Sequence, residues 1–502
     1  MYLGIDIGTS EVKALLLDDQ HRVLGTAGTA LGVARPHPGH SEQAPADWWR
    51  ATQSALARLR ADHPQPYAAV RAIGLSGQMH GAVLLDAQNR VLRPAILWND
   101  TRSAAQCSEL MAHGPSVSQT AGSLIVPGFT APKLLWVAQH EPEVFAQVAK
   151  VLLPKDFVRL QLTGEHATDV SDASGTAWLD VRRRVWSDEL LALCSLGVQH
   201  MPRVVEGSAV SGRLSATAAS TLGLQAGIPV AGGGGDNAAS TVGMGAVNAG
   251  EGFLSLGTSG VLFVVTPAFQ PNTASATHAF CHAVPDRWHQ MSVMLSAASC
   301  LQWATKLLGA ASEAVLEAQA RALTPAQRAA SPIFLPYLGG ERTPHNDAQV
   351  RGSFHGLDHD TDSARLAYAV MEGVSFGLGD GLAALREAGC EVAQLSLVGG
   401  GARSALWAQQ LASLLGIAII THTDSAAGGA LGAARLAWLC TGAAVTHVCV
   451  APPVAQRYVP NPAEQPLLHA RYQRFRALYP TSRPTSPPSL RSAPRTESKD
   501  HP

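Results

Sequence analysis

Two stretches far apart in the chain share one pattern. Leu3-Gly4-Ile5-Asp6-Ile7 runs into Gly8-Thr9-Ser10 and then an apolar segment, 12–17; Leu254-Ser255-Leu256 runs into Gly257-Thr258-Ser259-Gly260 and then 261–265. Apolar residues alternating with small or polar ones mark a half-buried strand. Each stretch is therefore expected to be a strand, a tight turn and a returning strand. In the first, the apolar side faces a core and Asp6 is expected on the opposite face. Gly8 removes the Cβ that would hold a ligand off the backbone, and Thr9 and Ser10 add hydroxyls. Such a turn can aim several N–H groups at one anion. A carboxylate beside it suits a hydrated divalent cation bridging phosphates. One copy alone is equally well an ordinary hairpin. Two copies, one in each half, point to two related lobes clamping a phosphate.

Composition allows this. A chain of 502 residues, 46% hydrophobic and 15% charged, can bury two large cores. A formal net charge of −1 argues against a nucleic-acid or anionic-membrane binder. The seven cysteines are scattered, odd in number and without a C-x-x-C, which disfavours a disulfide framework or zinc ribbon. The chain opens directly on a strand rather than on a basic and apolar leader. The segment 411–420 is too short to span a membrane. These features read as a cytoplasmic protein.

Residues 1–30 read as a three-strand meander, followed by a polar loop at 35–43. In that loop Pro36 and Pro38 keep His37 and His40 off one helical face, so they read as solvated rather than metal-binding. A helix from Ala46 to about His63 and a strand over 68–75 give a β–α–β rhythm. That strand ends in Ser76-Gly77-Gln78-Met79-His80-Gly81, a position where α/β folds bind ligands. His80 both donates and accepts, which suits a sugar hydroxyl; a satisfied core histidine is the equal alternative. The segments 82–85 and 91–98 read as a hairpin, and 104–200 as largely helical. Asp169, Asp172, Ser174 and Thr176 form a polar cluster, near a ligand or in capping roles.

A second focus is Gly232-Gly233-Gly234-Gly235-Asp236-Asn237, after a short strand at 228–230. The glycines let backbone approach a ligand, and a lone carboxylate there can be a general base for a hydroxyl nucleophile. The bland reading of Asp236 is a helix N-cap. Further on, His278, Cys281 and His282 read as strand residues rather than zinc ligands. Gly373-Val374-Ser375-Phe376-Gly377 matches a nucleophile-elbow pattern but lies inside a helical run, 363–388, and is discarded. The strand 394–398 runs into Gly399-Gly400-Gly401 and a helix, a geometry for nucleotide phosphate or adenosine at a helix N-terminus. It is not G-x-G-x-x-G, which disfavours a Rossmann dinucleotide site. Residues 428–434 read as a helix that packs closely through its small residues. The stretch 481–502 reads as a disordered tail.

Taken together, these residues resemble the carbohydrate kinases of the FGGY family over essentially all of residues 1–480. The resemblance implies an α/β, two-lobed actin-like ATPase (ribonuclease H-like) fold, each lobe a mixed sheet with helices on both faces. It implies an N-terminal lobe, 1–245, for sugar and catalytic base, and a C-terminal lobe, 246–480, for nucleotide. Within the family, Ser76–Gly81, Trp98-Asn99-Asp100, the segment 127–133 and Ser296-Ala297-Ala298-Ser299-Cys300 look closest to members that phosphorylate D-xylulose in D-xylose breakdown. Glycerol kinases carry Arg-Glu where Met79-His80 stand, which disfavours glycerol.

Position by position, Asp236 matches the family's catalytic base, and Met79 and His80 its sugar-binding dipeptide, with Asn237 a further sugar contact. Asp6 matches the carboxylate that serves Mg²⁺ through water. Gly8, Thr9, Ser10, Gly257 and Thr258 match phosphate-binding turns, and Gly400 and Gly401 nucleotide-binding glycines. The implied substrates are ATP and a small sugar, with Mg²⁺ as cofactor and neither nucleic acid nor membrane as partner; a homodimer stays open. The alternatives are a kinase for another ketose or sugar acid, such as ribulose or gluconate, and a non-catalytic actin-like sugar sensor.

Overall fold

Each of the two repeated stretches seeds one sheet of a two-lobed fold. The computed structural model describes residues 1–423 and 428–479; the expected tail at 481–502 lies outside the described residues. The first sheet has seven strands. Along its path lie Val210–Arg213, Pro229–Ala231, Ala72–Gly77, Tyr2–Ile7, Glu11–Leu17 and Val23–Ala30, and the two-residue Gly234–Gly235 also pairs with Ala72–Gly77. The second sheet, also seven-stranded, runs His278–Cys281, Trp288–Met294, Gly260–Thr266, Gly252–Leu256, Gln394–Val398, Ala418–His422 and Val454–Tyr458. Both are mixed in the same way. The strand before each turn pairs antiparallel with the strand after it, and parallel on its other side with a strand delivered by a long crossover.

The meander expected over 1–30 is present, and so are the helices Pro45–Asp62 and Ser363–Glu387. Gly373–Gly377 lies within the latter, so its serine forms no elbow. The first strand departs from the half-buried expectation. Its Leu3, Ile5 and Ile7 face does pack on Trp48, Leu56 and Leu59 of the helix Pro45–Asp62. The opposite face is covered as well, by the helix Gly428–Leu439, whose Ala430, Ala434 and Trp438 cluster with Tyr2, Leu15 and Leu17. Glycine makes that approach possible. A methyl group on Gly4 would fall 2.0 Å from the Ala430 carbonyl oxygen, and one on Gly74 would fall 1.9 Å from that of Ala433. Spacing that looked like a solvent face is the contact of a central strand with a helix formed late in the chain.

Three other segments differ from the sequence reading. The strand expected over 68–75 is present as Ala72–Gly77, shifted toward the C-terminus by the short helix Pro64–Ala68 before it. The hairpin expected over 82–98 keeps only isolated bridges, Ala82 to Ile96 and Leu85 to Val91. Val83–Leu85 pairs instead with Lys150–Leu152, and Ala95–Ile96 with Glu42–Gln43. The stretch 104–200 alternates helices with short strands, and two of its helices are Thr130–His140 and Pro154–Thr163. Among the described residues, no helix is long and apolar enough to cross a membrane.

Candidate active site

The register of the first sheet assembles the site. Asp6 lies beside Ser76 on the neighbouring strand, and Ser76 lies beside Gly234; one step on, Ile7, Gly77 and Gly235 form the next row. Asp236 follows immediately, as the first residue of the helix Asp236–Gly243. Asp6 and Asp236 thus project from the same end of one sheet, two strands apart, rather than from separate lobes.

Electrostatics agrees. The Asp236 carboxyl is pushed up to about 6, first by burial and next by the charge of Asp6, while hydrogen bonds from Asn237 pull it down. Asp6 is also raised, by burial, against the lowering influence of Ser76 and Lys13. Its Oδ1 and the Ser76 Oγ are buried with no hydrogen-bond partner among the described residues. Asp236 is not an N-cap: Gly235 occupies that position, and the Asp236 Oδ1 accepts from the Asn237 N–H at 2.7 Å and Nδ2 at 3.0 Å. The carboxylate is oriented by its neighbour, and its Oδ2 has no hydrogen-bond partner among the described residues.

The loop carrying Asp236 is held from beneath. Lys155 Nζ lies 2.7, 2.8 and 3.0 Å from the carboxylates of Asp156, Asp169 and Asp172, all fully buried. These carboxylates hold the Lys155 ammonium above its usual range although burial opposes them. Asp169 caps the helix Val170–Ser174, and Ser171 Oγ, which donates to Asp169, accepts the Gly235 N–H at 3.1 Å. Arg159 donates to the Ala231 carbonyl at 2.7 Å and to that of Gly232. The acidic cluster read from sequence therefore plays the capping and bracing role. The desolvation cost of burying such a network offsets much of its Coulombic gain.

Met79 sits against this loop, and His80 against Gly175, just past the helix Val170–Ser174. A methyl group on Gly235 would fall 2.8 Å from Met79 Sδ, and one on Gly175 would fall 2.4 Å from His80 Cε1. His80 has φ +70°, unusual for a side-chain-bearing residue. Its carbonyl is fixed there by Lys133 Nζ at 2.8 Å and Thr130 Oγ1 at 3.2 Å. Burial, then the charge of Lys133, pull the imidazole down to about 3, so it is neutral at any physiological pH. Its ring stacks on Phe129 at 4.8 Å.

The first turn is tied inward. Thr9 Oγ1 donates to Gln78 Oε1 and accepts from Trp98 Nε1, both at 3.0 Å, and Gln43 Nε2 donates to the Thr9 carbonyl at 2.7 Å. Ser10 is exposed at its tip. The second turn opens onto a cavity of about 680 Å³, where Gly257 and Thr258 meet Gly400 and Gly401 together with Ser299, Gln302 and Trp407. Asn237 lines a different, smaller cavity of about 170 Å³ between the sheets, with Ser240, Ser255 and His422. The structure thus brings Asp6, Asp236, Met79 and His80 to one sheet end, and Gly257, Thr258, Gly400 and Gly401 to one pocket. The sequence reading named Ser76 only within the strand-end stretch 76–81, and did not single out Gln302 or Trp407; the pairing of Ser76 with Asp6 is a matter of strand register.

Comparison with known proteins places the chain. The FGGY family of carbohydrate kinases matches through its N-terminal domain over residues 1–243 and its C-terminal domain over residues 252–440. Xylulose kinase of Escherichia coli (strain K12) is 50% identical over 482 residues, 95% of this chain and 98% of that protein. Xylulose kinase of Klebsiella pneumoniae is 52% identical over 438 residues, 87% of this chain and 89% of that protein. The crystal structure of a xyloylose kinase from Brucella ovis matches with a TM-score of 0.93 at 51% identity, covering 96% of this chain and 99% of that one. With both domains matched in order over most of its length, this chain belongs to the FGGY carbohydrate kinases.

Proposed function

We propose that this chain transfers the γ-phosphoryl group of ATP to the terminal hydroxyl of D-xylulose, giving D-xylulose 5-phosphate and ADP. The observation that carries this reading is the pair Asp236 and Asp6 at one sheet end, beside Met79-His80, in a chain half identical to xylulose kinases over nearly its whole length. The nucleotide lies in the cavity of Gly257, Thr258, Gly400 and Gly401, and the sugar beside His80. Glycine at 400 leaves room: a methyl group there meets no heavy atom nearer than 3.8 Å.

Phosphoryl transfer needs in-line placement and charge neutralisation more than covalent help. Asp236 takes the proton of the sugar hydroxyl as its oxygen bonds to phosphorus and the bond to the bridging oxygen of ADP breaks. A carboxylate pushed up to about 6 is a stronger base than an ordinary one and still ionised near neutrality. The unpartnered oxygens of Asp6 and Ser76 are hard donors that fit Mg²⁺, directly or through water. Bound there, Mg²⁺ supplies charge neutralisation at the phosphates. Neutral His80 accepts from a sugar hydroxyl, and Met79 gives the apolar wall.

The test is ADP release with ATP and Mg²⁺ across D-xylulose, D-ribulose, D-gluconate, glycerol and no sugar. D-Xylulose is expected to give the highest kcat/KM. Preference for another sugar replaces the acceptor; nucleotide binding with no sugar-stimulated turnover favours the sensor and ends the kinase reading.

A further inference from the structure

Phe129 is flanked by two imidazoles. One is His80, at 4.8 Å; the other is His278, from the edge strand of the second sheet, with ring centroids 5.8 Å apart. Their tautomers are set by their partners. The His80 Nδ1 faces the Gly175 carbonyl at 2.7 Å, which can only accept, so Nδ1 carries the proton. His278 Nδ1 lies 2.6 Å from Ser123 Oγ, whose own proton goes to the Leu124 carbonyl at 2.9 Å; again Nδ1 donates. Each ring therefore turns an unprotonated Nε2 outward, and neither Nε2 has a hydrogen-bond partner among the described residues.

Arg342 approaches the same place from the second lobe. Its backbone is pinned: Glu341 Oε1 accepts the N–H of Arg342 at 2.7 Å and that of Leu295 at 2.9 Å. Thr343 Oγ1 donates to the Ala276 carbonyl at 3.0 Å and accepts the Val293 N–H at 3.1 Å. Ala276 precedes His278 by two residues, and Val293 follows Met291, the cross-strand partner of His278, by two. The Arg342 guanidinium makes no hydrogen bond or ion pair among the described residues. After burial and, for His80, the charge of Lys133, the charge of Arg342 is a further influence that lowers both imidazoles.

We propose that His278 and Arg342 complete the acceptor-sugar pocket that His80 begins, and that this pocket is built for an uncharged polyhydroxy ketone. The proposal rests on the sugar-kinase reading above. Two imidazole lone pairs call for hydroxyl donors, and a guanidinium calls for oxygen acceptors. A neutral ketose offers both, its hydroxyls donating to Nε2 and its carbonyl, which only accepts, taking the guanidinium. A sugar carboxylate placed among them satisfies Arg342 alone and faces two lone pairs. His278 and Arg342 are thus specificity-determining residues supplied by the second half of the chain.

The variants Arg342→Gln and His278→Phe test this, the phenyl ring keeping the packing on Phe129. Each is expected to raise the D-xylulose KM by about 10- to 100-fold, the usual worth of a hydrogen bond to a charged or buried partner, with the ATP KM within about twofold of wild type. Arg342→Lys keeps the charge without the planar fork and is expected to fall between; it replaces Arg342→Gln should that variant not fold. A D-xylulose KM within about twofold of wild type in both positions overturns the assignment. A wild-type KM lower for D-gluconate than for D-xylulose overturns the neutral-ketose part. A wild type that releases no ADP with any sugar removes the kinase reading itself, a result separable from the other two.

Discussion

The two turns, near-identical as sequence, are unlike as structure. Gly8-Thr9-Ser10 is a closed hairpin: a methyl group on Gly8 would meet the Glu11 carbonyl oxygen at 2.8 Å, and the Thr9 hydroxyl is held by Trp98 and Gln78. Gly257-Thr258-Ser259 is open: a methyl group on Gly257 meets nothing nearer than 3.6 Å, and the turn borders the largest of the cavities described above. The helix beginning at Ala298 secures it from behind, with Ala297 and Ala298 N–H groups donating to the Thr258 and Gly257 carbonyls. Two residues before the glycine, the first copy carries Asp6 and the second Ser255. On the proposed reading, one scaffold presents a carboxylate to the acceptor and the other an open glycine turn to the nucleotide. A glycine required by its own backbone and a glycine that leaves space for a ligand cannot be told apart by letter.

This contrast can be broken at several points. The largest effect belongs to the acceptor side: Asp236→Ala is expected to lower kcat by about 10²- to 10⁴-fold, the worth of a positioned base, while the ATP KM stays near wild type in steady-state assays. Next, Gly257→Val is expected to raise the ATP KM by at least about 10-fold through lost close approach, with Tm unchanged because the fold has room for the side chain. Gly8→Val inverts that pattern. It forces a backbone contact, costs about 1–3 kcal/mol, and appears as a lowered Tm in thermal melts; equal melts for the two valine variants would erase the distinction.

Smaller still is the pH effect. Asp236 must be ionised to accept a proton, so kcat/KM is expected to rise with pH and level off above about 6. Asp6→Asn removes the second cause of that raised value and should shift the midpoint of the residual rate to lower pH; an unmoved midpoint would mean that the carboxylates do not sense each other. The linked stability has the opposite sign. A carboxyl raised on folding keeps its proton longer in the native state, so its contribution declines as pH climbs from the unfolded value through about 6.

Local signals were legible wherever a few consecutive residues decide the outcome. Both strand–turn–strand units, the glycine loop before Asp236 and the helix Ser363–Glu387 follow from period and punctuation. What escaped was set by partners far away in sequence. Val83–Leu85 has the composition of a hairpin arm, yet its partner is Lys150–Leu152, beyond four helices. The second face of Tyr2–Ile7 is covered by residues more than four hundred positions later. His278 read as a plain strand residue because the ring it packs on, Phe129, belongs to the other half. Asp236 was legible as a candidate site residue, but not as the first helical residue, because the preceding glycine takes the cap.

The helix Gly428–Leu439 has a consequence for biosynthesis. It is translated late, yet it roofs the sheet that is translated first, seated on Gly4 and Gly74. A nascent chain still short of it carries Tyr2, Leu15, Leu17 and Ala72 as an uncovered greasy face throughout most of its passage from the ribosome, the kind of surface that chaperones guard. The first lobe is consequently not a portable module. Severed after its own last strand it would lack its roof, and only a polypeptide that returns to where it began can close it.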